Sequence, residues 1–147
     1  MKYLTRGARD TFEFGAALGV DLAPGDAVLL SGELGAGKSV LARGIAAACG
    51  IDGPMPSPTF TIMIPYEGEK KLYHFDLYRL MDPDEFYAAG LEEFLGGDGI
   101  AVIEWPEMAD LNPSGAIRVH IARGADEDER IIETGARRAL ERWEADR

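Results

Sequence analysis

Cysteine and histidine are scarce in this sequence. It has one cysteine, Cys49, and two histidines in 147 residues. A single cysteine cannot form an internal disulfide, so the class of small disulfide-stabilised proteins is excluded. Cys49 falls on the apolar side of a predicted helix, and we expect it to be a small buried hydrophobic residue rather than a reactive thiol.

Long apolar runs are absent as well. No run approaches the roughly 20 residues that a membrane-spanning helix requires. Residues 1–10 mix lysine, arginine and aspartate with few apolar side chains, so they lack the apolar centre and cleavage site of a secretory signal. We therefore expect a cytosolic protein with no membrane partner.

Positive charge is in short supply. The chain has 15 Lys and Arg against 26 Asp and Glu, which gives a net charge of -11 and a pI of about 4.6. Proteins that capture nucleic acid electrostatically neutralise its phosphates with lysine and arginine. We therefore expect any role on RNA to be indirect, through a partner protein.

The composition is that of a globular protein. Hydrophobic residues make up 46% of the chain and charged residues 28%, and the length fits one hydrophobic core. No repeat, low-complexity tract or long linker divides the chain. We predict that residues 1–147 form a single domain.

Short apolar runs alternate with helical patterns along the chain. The run Ala27–Ser31 has the pattern of a buried strand, and a second apolar run at residues 100–103 predicts another. Capping residues predict a helix from a capping box at Asp10 to about Gly19 and a helix capped by Asp82 that ends near Gly90. Alternation and turn residues predict two hairpins, one of residues 59–66 and 72–78 and a closing one of residues 117–121 and 130–134. A last helix is predicted at residues 136–143. Residues 126–129 are predicted to be an exposed turn.

Between the first buried strand and the next helix lies a glycine-rich loop. Residues 32–39 read GELGAGKS, which matches the phosphate-binding pattern of glycine, four residues, glycine, lysine and serine or threonine. Glycines let the backbone curl around phosphates, lysine reaches the β- and γ-phosphates, and the serine hydroxyl binds Mg²⁺. A plain glycine turn explains the glycines but not Lys38 and Ser39.

This loop predicts both the fold class and a nucleotide site. The fold is expected to be α/β, a P-loop NTPase-like three-layer fold with a mixed parallel and antiparallel sheet flanked by helices. The residues predicted to hold the phosphates of ATP are Glu33, Leu34, Gly35, Ala36, Gly37, Lys38, Ser39 and Val40. Lys38 is also predicted to be catalytic, because it neutralises charge that develops on the phosphates.

Two carboxylates are placed to serve this site. Glu104 directly follows the second buried strand, where P-loop enzymes keep an acid for magnesium or its water shell. Asp76 is the second candidate, because strand alternation puts His74, Asp76 and Tyr78 on one face. Either acid can orient the attacking water, so both are predicted to be catalytic and metal-binding residues. The histidines, His74 and His120, are expected to be structural.

Four sequence blocks resemble one known family. They are GELGAGKS at residues 32–39, SPTF at 57–60, YHFDLYRL at 73–80 and IEWPE at 103–107. In this order they resemble the TsaE (YjeE) family, the bacterial ATPases that work in making threonylcarbamoyladenosine in tRNA. The resemblance covers most of the chain and is weakest beyond about Pro113.

The resemblance implies roles for individual residues. It implies that Ser39 and Glu104 bind Mg²⁺, that Asp76 is an essential acid near the metal, and that Trp105 lies beside the nucleotide. Ser39 stands where many members carry threonine, a change that retains the hydroxyl.

The resemblance also implies nucleotide contacts outside the loop. Residues 57–60 are expected to behave as a nucleotide-sensitive switch, in which the hydroxyl of Thr59 can reach the γ-phosphate or the metal. In the family, the N-terminal segment and an arginine near the C-terminus help to hold the base. Thr11 and Arg130 are the corresponding candidates in this sequence.

Several functions share a phosphate-binding loop. The resemblance favours an ATPase that regulates or resets a complex of TsaB-like and TsaD-like proteins, with tRNA reached only through that complex. A small-molecule or nucleotide kinase is the alternative, and it requires an acceptor pocket and usually an arginine-bearing lid. A GTPase is disfavoured because no Asn-Lys-x-Asp run is present, and a nucleotide-binding scaffold would keep Asp76 and Glu104 away from the phosphates. No arginine finger is evident near the motifs, so we expect hydrolysis by the isolated chain to be slow.

Overall fold

The computed structural model describes residues 1–51, 53, 55–56, 58, 61–136, 140–141 and 143–144. Within these ranges the chain forms one sheet with helices on both faces. In chain order the elements are β1 (Lys2–Arg6), α1 (Gly7–Gly19), β2 (Ala27–Ser31), α2 (Lys38–Ala48), β3 (Met63–Tyr66), β4 (Leu72–Asp76), α3 (Pro83–Ala88), β5 (Ile100–Glu104), β6 (Ile117–Arg123) and β7 (Glu129–Thr134), with 3-10 turns at Leu91–Phe94 and Pro106–Ala109. No helix in the described ranges has both the length and the apolar character that crossing a bilayer demands.

The sheet is mixed, as the sequence predicts. Its described strands lie in the order β1-β7-β6-β2-β5-β4-β3. The central strand β2 is parallel to both β5 and β6, and β4 is parallel to β5. The outer strands β1, β3 and β7 run antiparallel to their neighbours. The carboxyl ends of β2, β4 and β5 therefore meet at one edge of the sheet.

Two apolar cores lie between the layers, one on each face of the sheet. One core joins the sheet to α1 and α2 through side chains such as Phe14 and Leu41, and the other joins the opposite face to α3 through Phe75 and Phe86. The helices α1 and α2 approach so closely that a Cβ at Gly44 would lie 2.1 Å from the carbonyl oxygen of Phe12. The approach therefore depends on glycine at this position. Helices on both faces confirm the predicted three-layer α/β fold. Cys49 is fully buried, as expected, and burial raises the pKa of its thiol.

The N-terminal region differs from the prediction. β1 was not predicted, because its charged and apolar residues look like a coil until its register with β7 buries Tyr3 and Thr5. α1 begins at Gly7, three residues before the predicted cap. Asp10 lies in the first turn of the helix, where its carboxylate accepts a hydrogen bond from the backbone N–H of Arg6 at 2.8 Å. The predicted capping box at Asp10 is therefore wrong.

The hairpins are confirmed, with shifted ends. β3 begins at Met63 because Ile62 has a φ of 69°, which is outside the extended region. β4 ends at Asp76, whose carboxylate accepts the N–H of Tyr78 at 3.0 Å and so turns the chain. Glu129 was predicted in an exposed turn, but it is buried at the start of β7 and pairs with Arg6 at 3.3 Å.

The start of α3 agrees with its prediction, and the predicted C-terminal helix is described in part. Asp82 caps α3 by accepting the N–H of Asp84 at 2.8 Å, with Pro83 at the first helical position, as predicted. Of the predicted C-terminal helix at residues 136–143, the described residues Leu140, Glu141 and Trp143 are helical and Ala136 is not, while Glu144 beyond it is helical as well. Residues 137–139 and 142 lie outside the described residues.

Candidate functional site

The candidate site lies where β2, β4 and β5 end. Open α/β sheets bind ligands at the carboxyl ends of their parallel strands. Here β2 leads through residues 32–37 into α2, which confirms the predicted order of strand, glycine loop and helix. The ends of β4 and β5 bring Asp76 and Glu104 into register beside this loop.

The loop needs glycine for two separate reasons. Gly37 has a φ of 113° and directly precedes α2, a conformation that other residues rarely adopt. A Cβ at Gly32 would lie 2.3 Å from the backbone oxygen of Ile121. Among the described residues, no side chain caps the N-terminus of α2. The N–H groups of its first turn therefore carry the positive end of the helix dipole, which favours an anion.

Lys38 is the buried cation of the site. The residue is 5% exposed, and Nζ donates to the backbone oxygens of Gly32 and Glu33, the latter at 2.9 Å. The same ammonium lies 4.1 Å from the centre of the Trp105 ring. Burial lowers the pKa of Lys38, and the carboxylates of Glu104, Glu107 and Asp76 oppose that shift. Desolvation strengthens the attraction of this cation for phosphate oxygens.

Ser39 and the two predicted acids share one cavity. The hydroxyl of Ser39 donates to Oε1 of Glu104 at 3.4 Å. Asp76 and Glu104 are 7% and 3% exposed. All three residues line a cavity of about 330 Å³ together with Lys38 and Trp105; the remaining lining residues are Leu34, Gly35, Gly37 and Val40.

The residues of this cavity fit Mg²⁺ and a nucleoside triphosphate. No group of three or more His, Cys, Asp or Glu residues forms a metal cage in the described part of the chain. Mg²⁺ seldom uses such cages, because it is held by one or two carboxylates together with substrate phosphates and water. The hydroxyl of Ser39 with the carboxylates of Asp76 and Glu104 is a donor set of this hard-oxygen type. The buried Lys38 and the glycine-lined helix N-terminus suit the phosphates.

A second cavity lies on the other side of the loop. It measures about 230 Å³ and brings together the two predicted base-binding residues, Thr11 and Arg130, with Ala36 and Val40 of the loop and helix. Arg130 Nε donates to the backbone oxygen of Ala36 at 2.8 Å. The Thr11 hydroxyl bonds the Thr5 hydroxyl at 2.8 Å. The structure thus joins these residues at one site, while their contact with a base stays a prediction.

The remaining predicted residues lie at the margins of the site. Leu34 is 59% exposed at the tip of the loop, and Glu33 is exposed beside it. Thr59, with Ser57 and Phe60, lies outside the described residues. The predicted switch is therefore represented only by the buried Pro58, whose backbone oxygen accepts the N–H of Ile62 at 2.7 Å.

Comparison with known proteins identifies the family of this chain. The family model described as "Threonylcarbamoyl adenosine biosynthesis protein TsaE" matches residues 5–132. The chain belongs to the TsaE family. This confirms the resemblance carried by the four sequence blocks, which all lie inside the matched range.

Relatives in the TsaE family cover most of the chain. A protein of Treponema pallidum is 37% identical over 89% of this chain and 98% of its own length. A protein of Nostoc is 42% identical over 84% of this chain and 78% of its own length. Both are named tRNA threonylcarbamoyladenosine biosynthesis protein TsaE. The crystal structure of Bacillus subtilis YdiB superposes with a TM-score of 0.77 at 32% identity, covering 91% of this chain and 83% of that one.

Two residues that contact this candidate site were not predicted to belong to it. His74 Nε2 lies 2.7 Å from Oε2 of Glu104. Arg123 Nη2 donates to the backbone oxygen of Leu34 at 3.4 Å, beside Gly35. Alternation along β4 had placed His74 on the face of Asp76, which was a usable signal. The approach of Arg123 depends on the pairing of β6 with β2, which no local pattern encodes.

Proposed function

We propose that this protein is a magnesium-dependent ATPase that acts in the biosynthesis of tRNA threonylcarbamoyladenosine. The observation that carries the proposal is one cavity in which Lys38, Ser39, Asp76 and Glu104 converge on the N-terminus of α2. Membership of the TsaE family supports the tRNA part, because the relatives are named for that biosynthesis.

The proposed chemistry assigns one task to each group. Lys38 and the first N–H groups of α2 bind the β- and γ-phosphates. Ser39, Asp76 and Glu104 hold Mg²⁺, which when bound neutralises charge that builds on the phosphates during transfer. One of the two carboxylates, Asp76 or Glu104, orients a water molecule in line with the γ-phosphorus.

The second cavity supports a nucleotide whose base lies beside the loop. Its volume of about 230 Å³ and its position across the loop from the Lys38 cavity suit a base attached to phosphates on the loop. Arg130 and Thr11 line it, as the family resemblance implies for base contacts. The side chain of Arg130 also fixes the loop through the oxygen of Ala36.

Partner proteins complete the proposed cycle. Arg123 and Arg130 both donate to backbone oxygens of the loop, and neither lines the cavity that contains Lys38. We therefore propose that proteins related to TsaB and TsaD supply further charge or order the site, and that turnover resets their complex. A net charge of -11 favours contact with tRNA through those partners rather than directly.

A kinase is the second candidate, and one groove favours it. A groove of about 700 Å³ adjoins the Lys38 cavity and shares Leu34, Asp76 and Trp105 with it. Tyr78 and Arg79 extend the groove away from the loop, where an acceptor molecule would have to lie. A kinase would transfer phosphate to that acceptor, whereas the proposed ATPase releases it to water.

Replacement of a bacterial host's own family member by this chain tests the proposed role. We expect the wild-type chain to restore threonylcarbamoyladenosine in bulk tRNA, measured by mass spectrometry of nucleosides. A Glu104→Ala chain is expected to restore little, since it loses a proposed metal ligand. Lys71→Ala is the control, because Lys71 stands before the amino end of β4, at the far edge of the sheet. Restoration by Glu104→Ala equal to the wild type would contradict the proposal.

A further inference from the structure

His74 makes a buried contact that the proposed chemistry does not use. Its Nε2 lies 2.7 Å from Oε2 of Glu104, and the two side chains are 3% and 4% exposed. A carboxylate can only accept, so the hydrogen of this bond belongs to Nε2. A hydrogen bond to a charged group in a buried place is among the stronger ones in proteins.

The contact divides the two oxygens of Glu104 between two partners. Oε2 is held by His74 from β4, while Oε1 faces the hydroxyl of Ser39 at the start of α2. A glutamate side chain has three rotatable bonds, and one firm anchor removes most of that freedom. His74 therefore aims the remaining oxygen at Ser39, the proposed metal ligand.

Within the described ranges, the other nitrogen of the His74 ring has no polar partner that would compete with Glu104 for the orientation of the ring. Nδ1 of His74 is buried and has no hydrogen-bond partner among the described residues. Such groups are rare in proteins, and each one calls for a reason. The backbone register of β4 holds His74 between Ile64 of β3 and Val102 of β5. The ring is thus fixed by the sheet with a single polar contact recorded in the described part of the chain, and that contact is Glu104.

We propose that His74 is a positioning residue, which fixes the carboxylate of Glu104 so that it can bind the metal of the Mg–nucleotide complex. The proposal rests on the proposed function, because it concerns the same metal. Hydrogen-bonding partners of metal ligands commonly contribute 10- to 100-fold to metal affinity. His74 touches neither phosphate nor water in this scheme and acts only through Glu104.

Four variants separate positioning from simple packing. His74→Leu removes the donor and keeps an apolar side chain of similar size. His74→Gln places an amide N–H close to the position of Nε2, whereas the shorter side chain of His74→Asn does not reach Glu104. His120→Leu is the control, because His120 is exposed and bonds Ser31 at 2.9 Å.

The readout is the gain in nucleotide affinity that Mg²⁺ provides. Calorimetry with a non-hydrolysable ATP analogue gives the affinity in Mg²⁺ and in EDTA, and their ratio is the gain. We expect His74→Leu and His74→Asn to lose 10-fold or more of this gain, with the affinity in EDTA unchanged within about 3-fold. His74→Gln and His120→Leu are expected to keep it.

Each other outcome counts against a definite claim. Equal losses in Mg²⁺ and in EDTA, or equal gains in His74→Gln and His74→Asn, would show that His74 only packs, and would overturn the positioning role. This comparison holds even where His74→Leu does not fold, because the two amide variants stay polar. If Mg²⁺ does not change the affinity of the wild-type chain for the nucleotide, the proposed function is overturned. If Mg²⁺ raises the affinity of the wild type and of all His74 variants by the same factor, only the role of His74 is overturned.

Discussion

Replacing Lys38 by alanine is expected to lower the affinity for ATP by roughly 100-fold or more. The ammonium is buried at the N-terminus of α2, and its hydrogen bonds to Gly32 and Glu33 hold it against the loop. A charge-assisted contact to phosphate in such a place contributes about 3 kcal/mol, and 1.4 kcal/mol is a factor of ten. Equilibrium binding of a labelled ATP analogue measures the change.

The matched control for Lys38 is a lysine outside the site. Lys71 pairs with Glu67 and Asp98 at 3.4 Å, just before the amino end of β4. Exposed ion pairs contribute little to stability or binding, so Lys71→Ala is expected to bind ATP within about 2-fold of the wild type. An unchanged affinity for ATP in Lys38→Ala would contradict the assignment of residues 32–39 as the phosphate-binding loop. The same loss in both lysine variants would point to unfolding instead, which circular dichroism detects.

Replacing Glu104 by glutamine is expected to slow ATP hydrolysis by about 100-fold to 1,000-fold. The amide keeps the volume of the buried side chain but lacks the charge that would bind Mg²⁺ or orient the attacking water, and such groups contribute on that order. Binding of ATP in EDTA should change little, because the phosphates are held by the loop and Lys38. Single-turnover phosphate release at saturating Mg-ATP separates the two effects.

A neighbouring glutamate provides the control for Glu104. Glu107 lies in the turn Pro106–Ala109, is exposed, and acts on Lys38 only through its charge. Glu107→Gln is therefore expected to hydrolyse ATP within about 3-fold of the wild type, since exposed charges are screened by water and salt. Equal rates in Glu104→Gln and the wild type would contradict the metal-binding and water-orienting roles of Glu104.

The centre of the fold follows from local patterns in the sequence. An apolar run, a glycine loop and helical spacing are contiguous, so β2, the loop and α2 are predicted together, and Lys38 and Ser39 come with them. Glu104 is predicted because it follows an apolar strand, and Asp76 because of the strand alternation of β4. These signals need no knowledge of which strands are neighbours.

The rest of the site depends on contacts between distant segments. The contact of His74 with Glu104 exists only because β4 and β5 pair in one register, which spans 30 residues of sequence. Trp105 lies beside Lys38 because its backbone adopts a φ of 59°, a left-handed conformation that no propensity predicts for tryptophan. β1 is likewise formed by pairing with the far end of the chain. Local patterns carry no information about such pairings.

Phosphate release from Mg-ATP, with and without proteins related to TsaB and TsaD, tests the proposed partner-dependent ATPase activity. We expect slow release by the chain alone and an increase with both partners that approaches 10³-fold, because residues that complete such sites contribute ~10³ to 10⁵ in rate. The Glu104→Gln chain should stay slow with the partners present. Fast release by the chain alone, or no change when the partners are added, would rule out an ATPase that depends on these partners.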